Sequence, residues 1–71
     1  MNDKELRKLP SEVAKRLRVA IWNSSETPLI EADVLPLSGA DATLFRKCCQ
    51  KLKAASEERL ENVYRILLEK A

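Results

Sequence analysis

Two cysteines stand side by side at Cys48 and Cys49, and the chain has no histidine. On a helix, neighbouring side chains point about 100° apart, so a disulfide between these two would need a distorted backbone. Two thiolates without an imidazole are also a poor start for a zinc site. The pair is therefore expected to be small apolar residues in or beside a core, as free thiols in a reducing cytosol. A serine nucleophile needs a positioned base, and without histidine only a Ser-Lys pairing is available from these residue types. The neighbouring carboxylates Glu57 and Glu58, and Glu31 and Asp33, fall where helix starts and solvated loops account for them, so nothing indicates general acid–base work. The single glycine, Gly39, stands at a helix start, which leaves no glycine-rich phosphate cradle and no Walker-type lysine. The expectation is a chain with no catalytic residue, no metal site and no cofactor, not an enzyme, acting through its surfaces.

Those surfaces must be carried by helices. With one glycine, three prolines and few β-branched residues, the composition favours helix almost throughout. Asn2 with Glu5 three residues on is a cap for a first turn. Pro10 then either kinks this segment or restarts the helix at its tolerated first position. Leu6, Leu9, Val13, Leu17, Ala20 and Ile21 fall at spacings of three and four, giving one apolar face as far as about Trp22, with Lys8, Glu12, Lys15 and Arg16 on the other side. Asn23, Ser24 and Ser25 compete with helical hydrogen bonds and end it. In the connector, Thr27 and Pro28 carry the signature of an N-cap and first position, so residues 28–34 are expected to form a short helix setting Leu29, Ile30 and Val34 against the core, closed by Pro36.

Ser38 three residues before Asp41 is a capping-box variant that opens the next arm, with negative charge at the positive end of the helix dipole. Taking 100° per residue from Leu44, the residues Ala55, Cys48, Ile66, Leu52, Phe45, Val63, Leu67 and Leu60 lie between roughly 20° and 160°, a broad stripe. Arg59 projects inside it, where an unpaired charge cannot be fully buried. Either Arg59 snorkels at an interface edge, or the helix breaks near Ala54, Ala55 and Ser56. In the second case Ser56 caps a new helix opening on Glu57 and Glu58 and ending on Lys70. A coiled-coil seam through Phe45, Cys48, Leu52 and Ala55 fails, because its continuation lands on Arg59 and Asn62.

Seventy-one residues make one domain, spanning 1–71, with a helix at about 3–23, a partly ordered connector at 24–38 and a helix or helix pair at about 39–70. So short a chain hides a smaller share of its surface than a larger one. No window approaches the roughly 18 apolar residues of a membrane span, and residues 1–5 have no apolar run behind their charges. A cytoplasmic protein without membrane contact is expected, and the sequon at Asn23 is then chance. The net charge of +2 conceals blocks: basic residues prevail in 1–25, only acids occur in 26–41, and Arg46, Lys47, Lys51 and Lys53 follow without an acid. This pattern could simply neutralise itself within the fold.

Residues 9–19 resemble the first helix of many helix-turn-helix domains, in the pattern S-E-V-A-K-R-L-G-V, with Arg18 where that pattern turns on glycine. The resemblance implies a recognition helix in residues 26–33, yet that stretch carries three acids, Glu26, Glu31 and Asp33, and no base. Acids repel the phosphates that supply much of protein–DNA affinity. The nucleic-acid alternative therefore rests on Lys15, Arg16, Arg18, Arg46, Lys47, Lys51 and Lys53, joined by Lys4 and Lys8 on one face of a dimer.

The preferred expectation is an all-α protein, a helical hairpin or a small bundle of three to four helices completed by homodimerisation. The second arm outruns the first, so Leu60, Val63, Tyr64, Leu67 and Leu68 are expected to lack a neighbour within one chain. Together with Trp22 they are the expected partner-binding residues, in a small regulatory or adaptor protein that binds another protein. Their competing reading is core packing, since the chain has one each of tryptophan, tyrosine and phenylalanine.

Overall fold

Proline and serine divide the two expected arms into four helices. The computed structural model describes residues 2–23, 37 and 39–69. Among these, the elements are α1 (Asp3–Arg7), α2 (Ser11–Trp22), α3 (Gly39–Leu52) and α4 (Glu57–Leu68), with no strand. The expected connector helix at 28–34, the Ser38 cap and Lys70 lie outside the described residues.

Asn2 is extended and its Oδ1 accepts the Glu5 N–H at 2.9 Å, the N-cap expected from the sequence. The helix cannot run through Pro10, which has no N–H to donate and disfavours helical geometry in the residue before it. The chain therefore tightens, Leu9 N–H to the Leu6 carbonyl, and Pro10 turns outward at ψ 147° to become the N-cap position of α2 rather than its first helical residue. The Pro10 carbonyl accepts the Ala14 N–H at 2.9 Å. One helix at 3–23 is thus replaced by α1 and α2, the restart rather than the kink.

The same happens near Ser56. α3 stops at Leu52, the Ala55 N–H closes a turn on the Leu52 carbonyl, and Ser56 Oγ accepts the Arg59 N–H at 3.1 Å. Acids follow the cap at Glu57 and Glu58, where the dipole favours them. Arg59 is consequently not inside a continuous stripe: it sits at the edge of α4 with Nη1 3.3 Å from Asp3 Oδ1. At the start of α3, Gly39 adopts φ 54°, a conformation costing an L-residue with a Cβ roughly 1–2 kcal/mol.

The core gathers Leu6 and Leu9, then Val13, Ala14, Leu17, Ala20 and Ile21 of α2, Phe45, Cys48, Cys49 and Leu52 of α3, and Val63, Ile66 and Leu67 of α4. α2 packs against both α3 and α4, and α1 packs against α4. The radius of gyration, 10.8 Å, matches the value of about 11 Å for a compact chain of this length. Among the described residues no polar or charged residue is buried.

This packing corrects the expectation that the C-terminal ridge lacks a partner within one chain. Val63 and Leu67 are fully buried, and Leu60 and Tyr64 are partly buried against the same core. The break at Ser56 folds α4 back onto α1 and α2, so the front half covers the ridge. Of the five, only Leu68 remains a largely exposed apolar side chain.

Urea denaturation should show Leu17→Ala, at a fully buried site, losing about 2–5 kcal/mol, and Ser56→Ala losing about 1 kcal/mol through its cap. Val63→Asp should abolish the cooperative transition, because it buries an unpaired charge.

Candidate functional site

Two surface depressions collect some of the side chains the sequence nominates. The first lies on α2 and α4 and is lined by Lys15, Arg18, Val19, Trp22 and Tyr64. α2 buries Leu17, Ala20 and Ile21, which turns Val19 and Trp22, three residues apart, to the outside. Trp22 is 75% exposed and Val19 43%. The Trp22 ring meets Tyr64 with centroids 6.0 Å apart and planes tilted by 37°, within the range of an attractive aromatic pair. Leu68, 46% exposed, stands one turn beyond Tyr64 on α4 and shares its side of the helix. Val19 was missed among the candidates. Its signal was available, since it is apolar, off the buried stripe and one turn before Trp22.

Of the expected partner-binding residues, then, Trp22, Tyr64 and Leu68 belong to one surface. Val63 and Leu67 are buried in the core of the single chain, and Leu60 is half-buried.

The second depression runs between α1 and α3. Leu9, Leu44 and Cys48 form its floor, and Glu5, Lys8, Lys47 and Lys51 its rim, around a cavity of about 270 Å³. Lys51 Nζ is 3.9 Å from Glu5 Oε2, a pair more than half exposed at both ends and so worth little.

The nucleic-acid candidates do not make one strip. Lys15 and Arg18 border the aromatic depression, Lys47 and Lys51 the other, and neither is lined by Arg46 or Lys53, exposed on and just after α3, or by Arg16 of α2. Arg18 is also committed to structure: its Nη1 donates to the Leu67 carbonyl at 3.0 Å. A cation there meets the negative end of the α4 dipole at a carbonyl of its last turn. The helix-turn-helix pattern fails at the same residue. Where the pattern turns, α2 continues through Arg18 to Trp22, and the stretch 26–33 lies outside the described residues.

Chemistry at the cysteines is suppressed. Both are free and buried. Burial pushes the Cys48 thiol above its ordinary value, with Lys51 pulling the other way. Burial, and then the neighbouring Cys48, push Cys49 from 9.0 up to about 11. Nucleophilic thiolate is therefore scarce at neutral pH. Among the described residues no group of three or more His, Cys, Asp or Glu could hold a metal ion, and no helix is long and apolar enough to cross a membrane.

The raised thiol pKa has a defined sign. The fold favours the protonated form, so this contribution to stability is complete below pH 9 and disappears as pH rises through about 11. Iodoacetamide should label both cysteines slowly at pH 7.5 in the native chain and rapidly in urea. Between pH 9 and 11, stability should fall more steeply in the wild-type chain than in Cys49→Ala.

No family model, curated protein or solved structure matches this chain.

Proposed function

We propose that this chain is a small non-enzymatic protein-binding module, of regulatory or adaptor type, whose partner surface is the aromatic face of α2 and α4: Val19, Trp22, Tyr64 and Leu68. The carrying observation is Trp22, the largest side chain available, left 75% exposed, with Val19 and Leu68 exposed as well. Tryptophan is the residue type most enriched among those that dominate binding energy. Here Tyr64 supports its ring, and Lys15 and Arg18 supply a polar border beside it. That combination of apolar centre and charged rim is the usual anatomy of a protein interface.

A second copy docking through the same face would produce the homodimer expected from the sequence. The reason for it has narrowed, because Val63 and Leu67 no longer need covering. The nucleic-acid reading has lost Arg18 to the end of α4 and has its lysines divided between two sites.

Trp22 is the chain's one tryptophan, so its fluorescence reports this face alone. Emission of the dilute chain should be solvent-like and readily quenched by iodide, then blue-shifted and protected when the partner binds. Trp22→Ala should leave the urea midpoint nearly unchanged and abolish capture of proteins that the wild-type chain retains from its native lysate. Capture unaffected by Trp22→Ala and by Val19→Glu would defeat the proposal. A blue shift that grows with the chain's own concentration, together with a dimer by light scattering, would identify the partner as a second copy.

A further inference from the structure

We infer that the cleft between α1 and α3 is a second, independent docking site, and that its occupant is an acidic amphipathic helix of a partner protein. Leu44, Lys47, Cys48 and Lys51 follow at i, i+3, i+4 and i+7 along α3, and all four line the cleft. Residues so spaced form adjacent rows on one helix face, here an apolar row of Leu44 and Cys48 beside a basic row of Lys47 and Lys51. α1 and the turn after it add Leu9 to the floor and Lys8 to the rim. The complement of two such rows is an element carrying an apolar row beside an acidic one, which is what an amphipathic helix in a groove presents.

Size and charge choose among occupants. At about 270 Å³ the cavity is smaller than the roughly 300–1,000 Å³ of sites that engulf a small molecule, yet has room for one or two apolar side chains inserted from outside. Three lysines against Glu5 leave the rim positive, and the exposed Lys51 and Glu5 pair can open at little cost. A nucleic acid fits less well. Among the described residues no aromatic side chain lines the cleft to stack on a base, and Glu5 sits among the cations that would meet phosphate.

The test uses the full chain and a fluorescein-labelled 16-residue helical peptide with leucines on one face and glutamates beside them, read by fluorescence anisotropy. The wild-type chain should bind it at low salt, with affinity falling as salt rises. The double variant Lys8→Glu, Lys47→Glu, at two exposed sites, should bind at least tenfold more weakly at unchanged helicity and should instead take a peptide with lysines replacing the glutamates. Trp22→Ala should bind like wild type, which separates this site from the aromatic face. The inference is overturned if the acidic peptide does not bind, if the double variant binds it equally well, or if duplex DNA binds more tightly and competes the peptide away. It is also overturned if neutralising Glu26, Glu31 and Asp33 to glutamine tightens binding tenfold or more, since the cleft would then be occupied from within the chain.

Discussion

α2 has to satisfy two neighbours at once, and the rest of the arrangement depends on that. Val13, Ala14, Leu17, Ala20 and Ile21 make its apolar stripe broad enough for α3 on one flank and α4 on the other. A single long partner helix could cover only part of so wide a face. Dividing the partner at residues 53–56 lets its two halves take different directions, so Phe45 and Leu52 reach the core from one element while Val63, Ile66 and Leu67 reach it from the next. For a small chain this is the economical route to a closed core, because it adds no residue and needs no disulfide or metal.

Around that core, polar contacts orient the helices more than they stabilise them. Asp3 with Arg59 and Arg7 with Glu69 join α1 to α4 and the residue after it, and Glu5 with Lys51 joins α1 to α3. Apart from the half-buried Arg59 these groups are largely exposed, where such pairs contribute from nothing to about 1 kcal/mol each. The Arg18 bond to the Leu67 carbonyl differs in being partly buried and in serving a helix end. It ties the last turn of α4 to the middle of α2 and so holds Tyr64 near Trp22. One arginine thereby couples the end of the fold to the geometry of the aromatic face.

Once the ridge is internal, what remains outside becomes informative. Scattered apolar side chains on a surface need no explanation, but a tryptophan standing free beside a tyrosine, with Val19 and Leu68 exposed, is more than scatter. The cleft over Leu44 and Cys48 is of another kind, an apolar floor under a cationic edge. The two depressions therefore differ in chemistry.

Local chemistry was legible in the residues themselves. Asn2 and Ser56 carry side-chain acceptors that satisfy helix-end N–H groups, Pro10 lacks a donor, and the three-and-four spacing of Leu6 through Ile21 marks a buried face. These depend on neighbours a turn away at most, and the sequence alone determined the all-helical class of the described residues, the Asn2 cap and most of the core. Which apolar residues stay outside was decided by tertiary packing. Leu60, Val63 and Leu67 share one stripe along the chain, but the direction α4 takes after Ser56 buries Val63 and Leu67 fully and leaves Leu60 only partly covered. The same holds for Arg18, whose partner is a carbonyl 49 positions away, and for Lys8, Lys47 and Lys51, which share a cleft only because the fold brings the turn after α1 near α3. Contacts between distant positions depend on the angle at which helices cross. That angle is set by how every side chain in the interface packs, and no spacing within one helix contains it.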